Sequence, residues 1–315
     1  MKYLKRTIGV IFFILIFAGL FSKASDIFMH KQVEGQWNMT AKVAGFFNEK
    51  PDSFDVLFFG SSHMYCSVDP AILKEETGLS SYILATQKQP LWITYHYMVE
   101  ALKTQNPKII VVEVNTVTEE NAFMDEGTNY TAIDPIPFSK NKIEMIWASA
   151  PKGQRRYYIF NLMKYHDRWE ELQKTDYVRT YETECDPDKG YVRLTTAAID
   201  IEREDISGVK DIKLGNEKNL IYLNKIIDLA NEKEIRLILL KAPSNANKEE
   251  KMYYNGVASA AEARGVEFID YNDDELYKEV GLDLKTDFYD RRHLNETGMK
   301  KFVKHFSRFL MSEEE

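Results

Sequence analysis

The sequence predicts an α/β protein of three layers, with a parallel, flavodoxin-like sheet between layers of helices and a mostly helical or irregular insertion. Three observations carry this expectation. Segments of strand length alternate with segments of helical period, the order that a parallel sheet with crossover helices requires. The run 56–59 is apolar on both faces, as strands of such a sheet are. Ser62, Thr86, Asn115 and Ser244 each follow a predicted strand, where ligands bind in sheets of this kind.

The elements follow in order. Lys2, Lys5 and Arg6 precede a run, 8–21, of apolar residues and glycine. It has the length of a signal-peptide core, and positive charge before it places the N-terminus inside and the rest outside. Residues 1–24 are therefore read as a signal anchor, or as a signal peptide cleaved near Ser22 and Ala24. Residues 25–50 read as a partly helical stalk, broken by Pro51, and 51–315 as the folded domain. The first strand, 54–59, is followed by Asp69 and Pro70, which open a helix over 71–77 that Gly78 ends. A short strand at 81–84 leads to helical spacing of Leu91, Tyr95, Met98, Val99 and Leu102 over 91–103. Pro107 precedes the clearest strand, 108–114. The stretch 116–215 is polar and rich in Tyr, Asp and Glu, with helices expected at 141–148 and 153–172. It reads as an insertion that could build a lid or a substrate face. The alternation then returns with a helix at 216–233, strands at 236–240 and 266–270 around a helix at 248–264, and a closing helix at 296–311.

Bulk properties narrow the function. A chain of 315 residues with 44% hydrophobic and 29% charged residues is globular. A net charge of -8 argues against a nucleic-acid partner, which needs a basic footprint. Cys66 and Cys185 are the only cysteines, too few for a disulfide framework or a cysteine-based zinc site. The six histidines show no paired metal-ligand spacing and the carboxylates no calcium loop, so neither a metal nor another cofactor is expected.

Two stretches carry chemistry. Residues 55–63 run as a strand into Gly60, Ser61, Ser62 and His63. Residues 287–298 place Asp290 three residues before His293. A serine nucleophile, a histidine base and an aspartate orienter are the parts of acyl-transfer chemistry. Gly60 permits a tight turn, and the N–H of Ser62 can meet a developing oxyanion. Asp287 is the rival orienter, though six residues from His293 it reads as a loop or cap residue. Ser61 and Ser62 alone would read as ordinary turn residues. The pairing with the C-terminal motif gives them meaning.

These motifs, Gly60-Ser61-Ser62 after a strand and Asp290 to His293 before a last helix, resemble the SGNH (GDSL-type) hydrolase superfamily over residues 54 to 115 and 216 to 311. The Gly-Ser-Ser form is similar to its exported branch, the D-alanine transfer proteins of lipoteichoic acid and the alginate-type polysaccharide O-acetyltransferases. The resemblance implies Ser62, Asp290 and His293 as the catalytic residues, with Ser61 in place of the family aspartate. It favours a retained anchor, and it implies an acyl group handed on by a membrane-bound O-acyltransferase partner. The family's glycine and asparagine donors have no direct match. Gly60, Thr86, Gln87 and Asn115 are the candidates for an oxyanion site, and specialised transfer fits better than rapid hydrolysis of generic esters.

In the insertion, His166, Arg168 and Trp169 could line a glycan groove, or simply belong to a helix docked on the core. His63 is expected to point away from Ser62 if the turn is extended. The function expected is serine-dependent acyl transfer or ester cleavage on a cell-envelope polysaccharide or teichoic acid, outside the cytoplasm and anchored to the membrane. The alternatives are a secreted lipase or carboxylesterase, and a catalytically weak glycan-binding scaffold.

Overall fold

The computed structural model describes residues 2–29, 37–177, 185–195 and 202–312. Five parallel strands form one sheet: β1 Val56–Gly60, β2 Ser81–Ala85, β3 Ile109–Glu113, β4 Arg236–Lys241 and β5 Glu267–Asp270. Their order is β2-β1-β3-β4-β5, the flavodoxin-like arrangement, with the direction of winding reversed between β1 and β3. The register sets Gly60 opposite Ala85 and Phe59 opposite Val112, so the ends of the three strands lie level.

Alternation along the strands builds two cores. Leu57, Phe59, Ile110, Val112 and Leu239 face one of them, while Val56, Phe58, Ile109, Val111, Ile238 and Leu240 face the other. The helices follow in chain order. α1 is Lys2–Phe28, α2 Met39–Phe46, α3 Ser62–Tyr65, α4 Pro70–Thr77 and α5 Leu91–Ala101. The insertion holds α6 Glu126–Ile133, α7 Lys140–Ser149, α8 Arg155–Ile159 and α9 Asn161–Tyr165. α10 Glu217–Glu232, α11 Lys248–Arg264, α12 Asp274–Val280, α13 Leu284–Asp287 and α14 Glu296–Met311 complete the domain. α2, α5, α10 and α11 bury their apolar faces in the first core, and α4, α12 and α14 in the second. Local sequence sets their ends. Asp69 caps α4, with Pro70 in its first turn and Gly78 in the left-handed conformation after it. Asn247 and Glu250 form a reciprocal capping box at α11.

Two expectations change. The stalk over 25–50 is not separate from the domain. α1 runs unbroken to Phe28, and α2 joins the core, where Val43 and Phe46 are buried and the Tyr82 hydroxyl donates to Lys42 O at 2.6 Å. The helix expected over 153–172 is broken into α8, α9 and a 3-10 turn at 166–170, because contacts with α1 replace a single amphipathic face. The insertion also covers the free edge of β2. Lys189 O accepts from Ile83 N, and a side chain at Gly190 (φ 91°) would meet Ile83 O at 2.1 Å. Covering an edge strand in this way removes its unpaired backbone groups. The parts of the insertion at 178–184 and 196–201 lie outside the described residues.

Candidate active site

β1 ends against β3. Gly60 has φ +151°, and an added Cβ would lie 2.7 Å from Glu113 Cβ, so the close approach requires glycine. Gly60 is therefore fixed by packing where β1 meets β3. Ser61 is extended and caps α3, its Oγ accepting from His63 N at 3.4 Å and donating to Glu113 Oε2 at 3.2 Å. Ser62 begins α3. Within 56–70 every residue is buried except Ser62, which reaches the surface of the sheet's carboxyl edge.

His293 arrives from the loop before α14. Ser62 Oγ lies 2.8 Å from His293 Nε2, and His293 Nδ1 lies 2.9 and 2.8 Å from the two oxygens of Asp290. With its proton on Nδ1, held by Asp290, the imidazole presents a lone pair on Nε2 to the serine hydroxyl. The loop is rigidly tied. Asp290 Oδ1 also accepts from the N–H groups of Arg292 and His293, Tyr289 N donates to His293 O, and Asn245 N to Arg291 O. Partial burial would raise the Asp290 carboxyl. The hydrogen bond and charge of His293, with the two backbone donors, outweigh that and hold it below its ordinary value.

Asp287 has a different place. It is fully buried, accepts from Lys301 Nζ at 2.7 Å and from Asp283 N at 2.8 Å, and its carbonyl takes the Asn295 N–H. It anchors the start of α14 and does not touch His293.

Candidate oxyanion donors end adjacent strands. The Ser62 N–H is the first of a helix and has no intrahelical acceptor. Asn115 follows β3 by two residues. Its N–H donates to Glu113 Oε1 and its Oδ1 accepts from the Tyr254 hydroxyl at 3.0 Å, while its amide NH2 has no hydrogen-bond acceptor among the described residues. The Thr86 side chain is buried and donates to Gln89 Oε1. Gln87 is exposed and makes no hydrogen bond among the described residues.

A buried ionic cluster lies beneath the serine turn. Lys241 Nζ is 3.6 Å from Glu113 Oε1 and 3.4 Å from His63 Nδ1, and it donates to Ala242 O at 2.6 Å. Burial pushes the Glu113 acid up and the Lys241 ammonium down. Burial first, and then the charges of Lys241, His293 and Arg292, push His63 well below its ordinary value. The His63 ring packs 5.3 Å from that of His293, so it faces the site. The expectation that it points away fails because the helix begins at Ser62 and the chain is not extended there.

Sequence reasoning missed Glu113 and Lys241. The available signal is a single charge ending each of two apolar runs, 109–113 and 237–241. Ser244 is structural, its N–H and hydroxyl both bonded to Asn272 Oδ1. His166, Arg168 and Trp169 do not join the triad. Arg168 Nη1 donates to Phe28 O and Met29 O at the end of α1, His166 Nδ1 lies 3.2 Å from Met163 O, and Trp169 is exposed beside them. Among the described residues no group of three or more His, Cys, Asp or Glu side chains could hold a metal, and Cys66 and Cys185 are free.

No protein-family model matches the chain, and no curated protein matches it in sequence. Solved structures similar to it include a protein assigned to the G-D-S-L lipolytic family from Desulfitobacterium hafniense, at 11% identity and TM-score 0.42 over 80% of this chain and 97% of that one. A protein assigned as an acylhydrolase from Bacteroides fragilis matches at 11% identity and TM-score 0.42, over 85% of this chain and 92% of that one. A variant of an acetyl-xylooligosaccharide esterase from Geobacillus stearothermophilus matches at 12% identity and TM-score 0.42, over 84% and 97%.

Proposed function

We propose that this chain is an extracytoplasmic serine enzyme, tethered by α1, that cleaves or transfers an acyl ester on a cell-envelope polysaccharide or teichoic acid. One observation carries the chemistry: the unbroken line from Ser62 Oγ through the His293 ring to Asp290 at 2.8 Å spacings. Ser62 Oγ attacks the ester carbonyl while His293 Nε2 takes its proton. The oxyanion is received by the Ser62 N–H and the Asn115 amide. Collapse expels the alcohol, which takes the proton from His293, and leaves an acyl-serine. Water, or a glycan hydroxyl deprotonated by His293, then takes the acyl group and restores the serine.

The location rests on α1. It is long and apolar enough to cross a membrane, with a mean hydropathy of 2.1 over its best window. The cations before it favour an outer position for the domain. Its end, capped by Arg168, is built into the folded domain, which supports retention over cleavage. An acyl group for an outer serine would come from a membrane-bound O-acyltransferase partner.

A fluorophosphonate probe should label the full chain and not Ser62→Ala, and equal labelling of the two would overturn the serine reading. A chromogenic acetyl ester whose acyl group moves to an added de-esterified glycan would select transfer. Release to water alone, with or without glycan, would select the secreted-esterase reading.

A further inference from the structure

α1 changes character partway along. It is exposed from residue 3 to residue 20, half-buried from Ala24, and buried at Met29. From Lys5 to Lys23 the helix rises about 27 Å, close to the ~30 Å of a bilayer's hydrocarbon core. If α1 is retained as the proposed anchor, the outer membrane boundary falls near Phe21.

Phe21 makes an edge-on ring contact with Phe160 at 5.8 Å. That contact fixes the height of the insertion. Phe160, at the junction of α8 and α9, stands at the level where the hydrocarbon ends. It is 43% exposed and Met163 is 40% exposed, so neither is spent on the core. The stretch around them is locally positive. From 145 to 166 there is no carboxylate, while Lys152, Arg155, Arg156 and Lys164 all fall there, in a protein of net charge -8. Lys164 is buried against Asp134, but Lys152 and Arg156 are exposed, and Arg155 lies 5.1 Å over the half-exposed Trp147 ring. Cations flanking apolar and aromatic side chains at this depth are the composition of a surface that rests in a headgroup layer.

We propose that residues 147–163 seat the domain on the outer leaflet, with Phe160 and Met163 at the acyl boundary and Lys152, Arg155 and Arg156 among anionic headgroups. This second contact rests on the anchor reading. Beside a single helix it stops the domain from swinging freely and fixes the direction in which the sheet's carboxyl edge faces.

The test uses the full chain in lipid nanodiscs, spin-labelled one position at a time at Leu15→Cys, Phe160→Cys or Lys304→Cys in a Cys185→Ser background. Relative collision with oxygen and with a water-soluble nickel chelate reports depth. A label at 15 should read deep, one at 160 interfacial, and one at 304, on the far layer of helices, fully aqueous. A label at 160 that reads like 304 while 15 reads deep overturns this proposal and leaves the anchor standing. A label at 15 that reads like 304 removes the anchor itself. Replacing Lys152, Arg155 and Arg156 together by Gln should make position 160 shallower in discs with anionic lipid and leave it unchanged in zwitterionic discs. Equal depth with and without those charges in anionic discs overturns the headgroup contact.

Discussion

The ammonium of Lys241 and the carboxylate of Glu113 face each other at 3.6 Å, both wholly excluded from solvent, one layer below the turn that carries Ser62. Glu113 also holds the Ser61 hydroxyl and the Asn115 N–H. One carboxylate thus fixes the turn before Ser62 and the start of the loop that carries Asn115.

Breaking the pair from one side strands a buried charge. Glu113→Gln should destabilise the fold by about 3–5 kcal/mol, while Glu113→Leu combined with Lys241→Met should recover much of that. Urea unfolding of the single and double variants measures both. Equal losses would mean the pair does not act as a unit.

His63 gives a pH dependence. Its folded pKa lies well below 6.5, so the unfolded chain binds the extra proton first as pH falls. The stability this group contributes is complete above about pH 6.5 and drains away below it, at up to ~1.4 kcal/mol per pH unit. His63→Gln keeps an acceptor for Lys241 and should flatten that slope between pH 5 and 6.5. An unchanged slope in chemical denaturation would assign the acid lability elsewhere.

Asp290 and Asp287 separate by the kind of loss. Asp290→Asn should cut kcat by about 10⁴ with the fold intact, since the imidazole loses its oriented tautomer. Asp287→Asn removes the charge that pairs with Lys301 in a buried site, and should cost about 1–3 kcal/mol of stability with little change in kcat of the folded protein. Ester turnover beside thermal melting distinguishes them, and a larger kcat loss at position 287 would reverse the assignment.

Asn115→Ala should lower kcat by about 10²–10³ with KM nearly unchanged, because its amide acts only on the oxyanion. Gln87→Ala should behave as wild type. Comparable losses at the two positions would move the oxyanion site away from β3.

The sheet was legible because its strands are short apolar runs punctuated by Pro, Gly and Asp, and α14 because Asn295 caps a strongly two-sided segment. Ser62, Asp290 and His293 were legible because each sits in a local motif, and the structure brings them together. The Glu113–Lys241 pair was hidden, since a charge ending an apolar run shows no partner until strands 128 residues apart in sequence pair at β3 and β4. Contacts of the insertion were hidden for a related reason. Arg168, read from sequence as a substrate-face residue, bonds the end of α1, about 140 residues earlier, as well as Asp176. A period of 3.6 cannot report such a contact, and Phe160 interrupts the helix that the period suggested.

Ser62 and His293 stand 231 residues apart in the chain. Synthesis proceeds from the N-terminus, so a growing chain holds its serine long before its histidine exists. Throughout that interval the hydroxyl has no imidazole to accept its proton. The loop 288–294 is held at β1 by the seating of Gly298 against Asp287 and by the Glu296 N–H, which donates to Leu194 O in the edge-covering segment. The base is thereby withheld from the serine until the fold is complete.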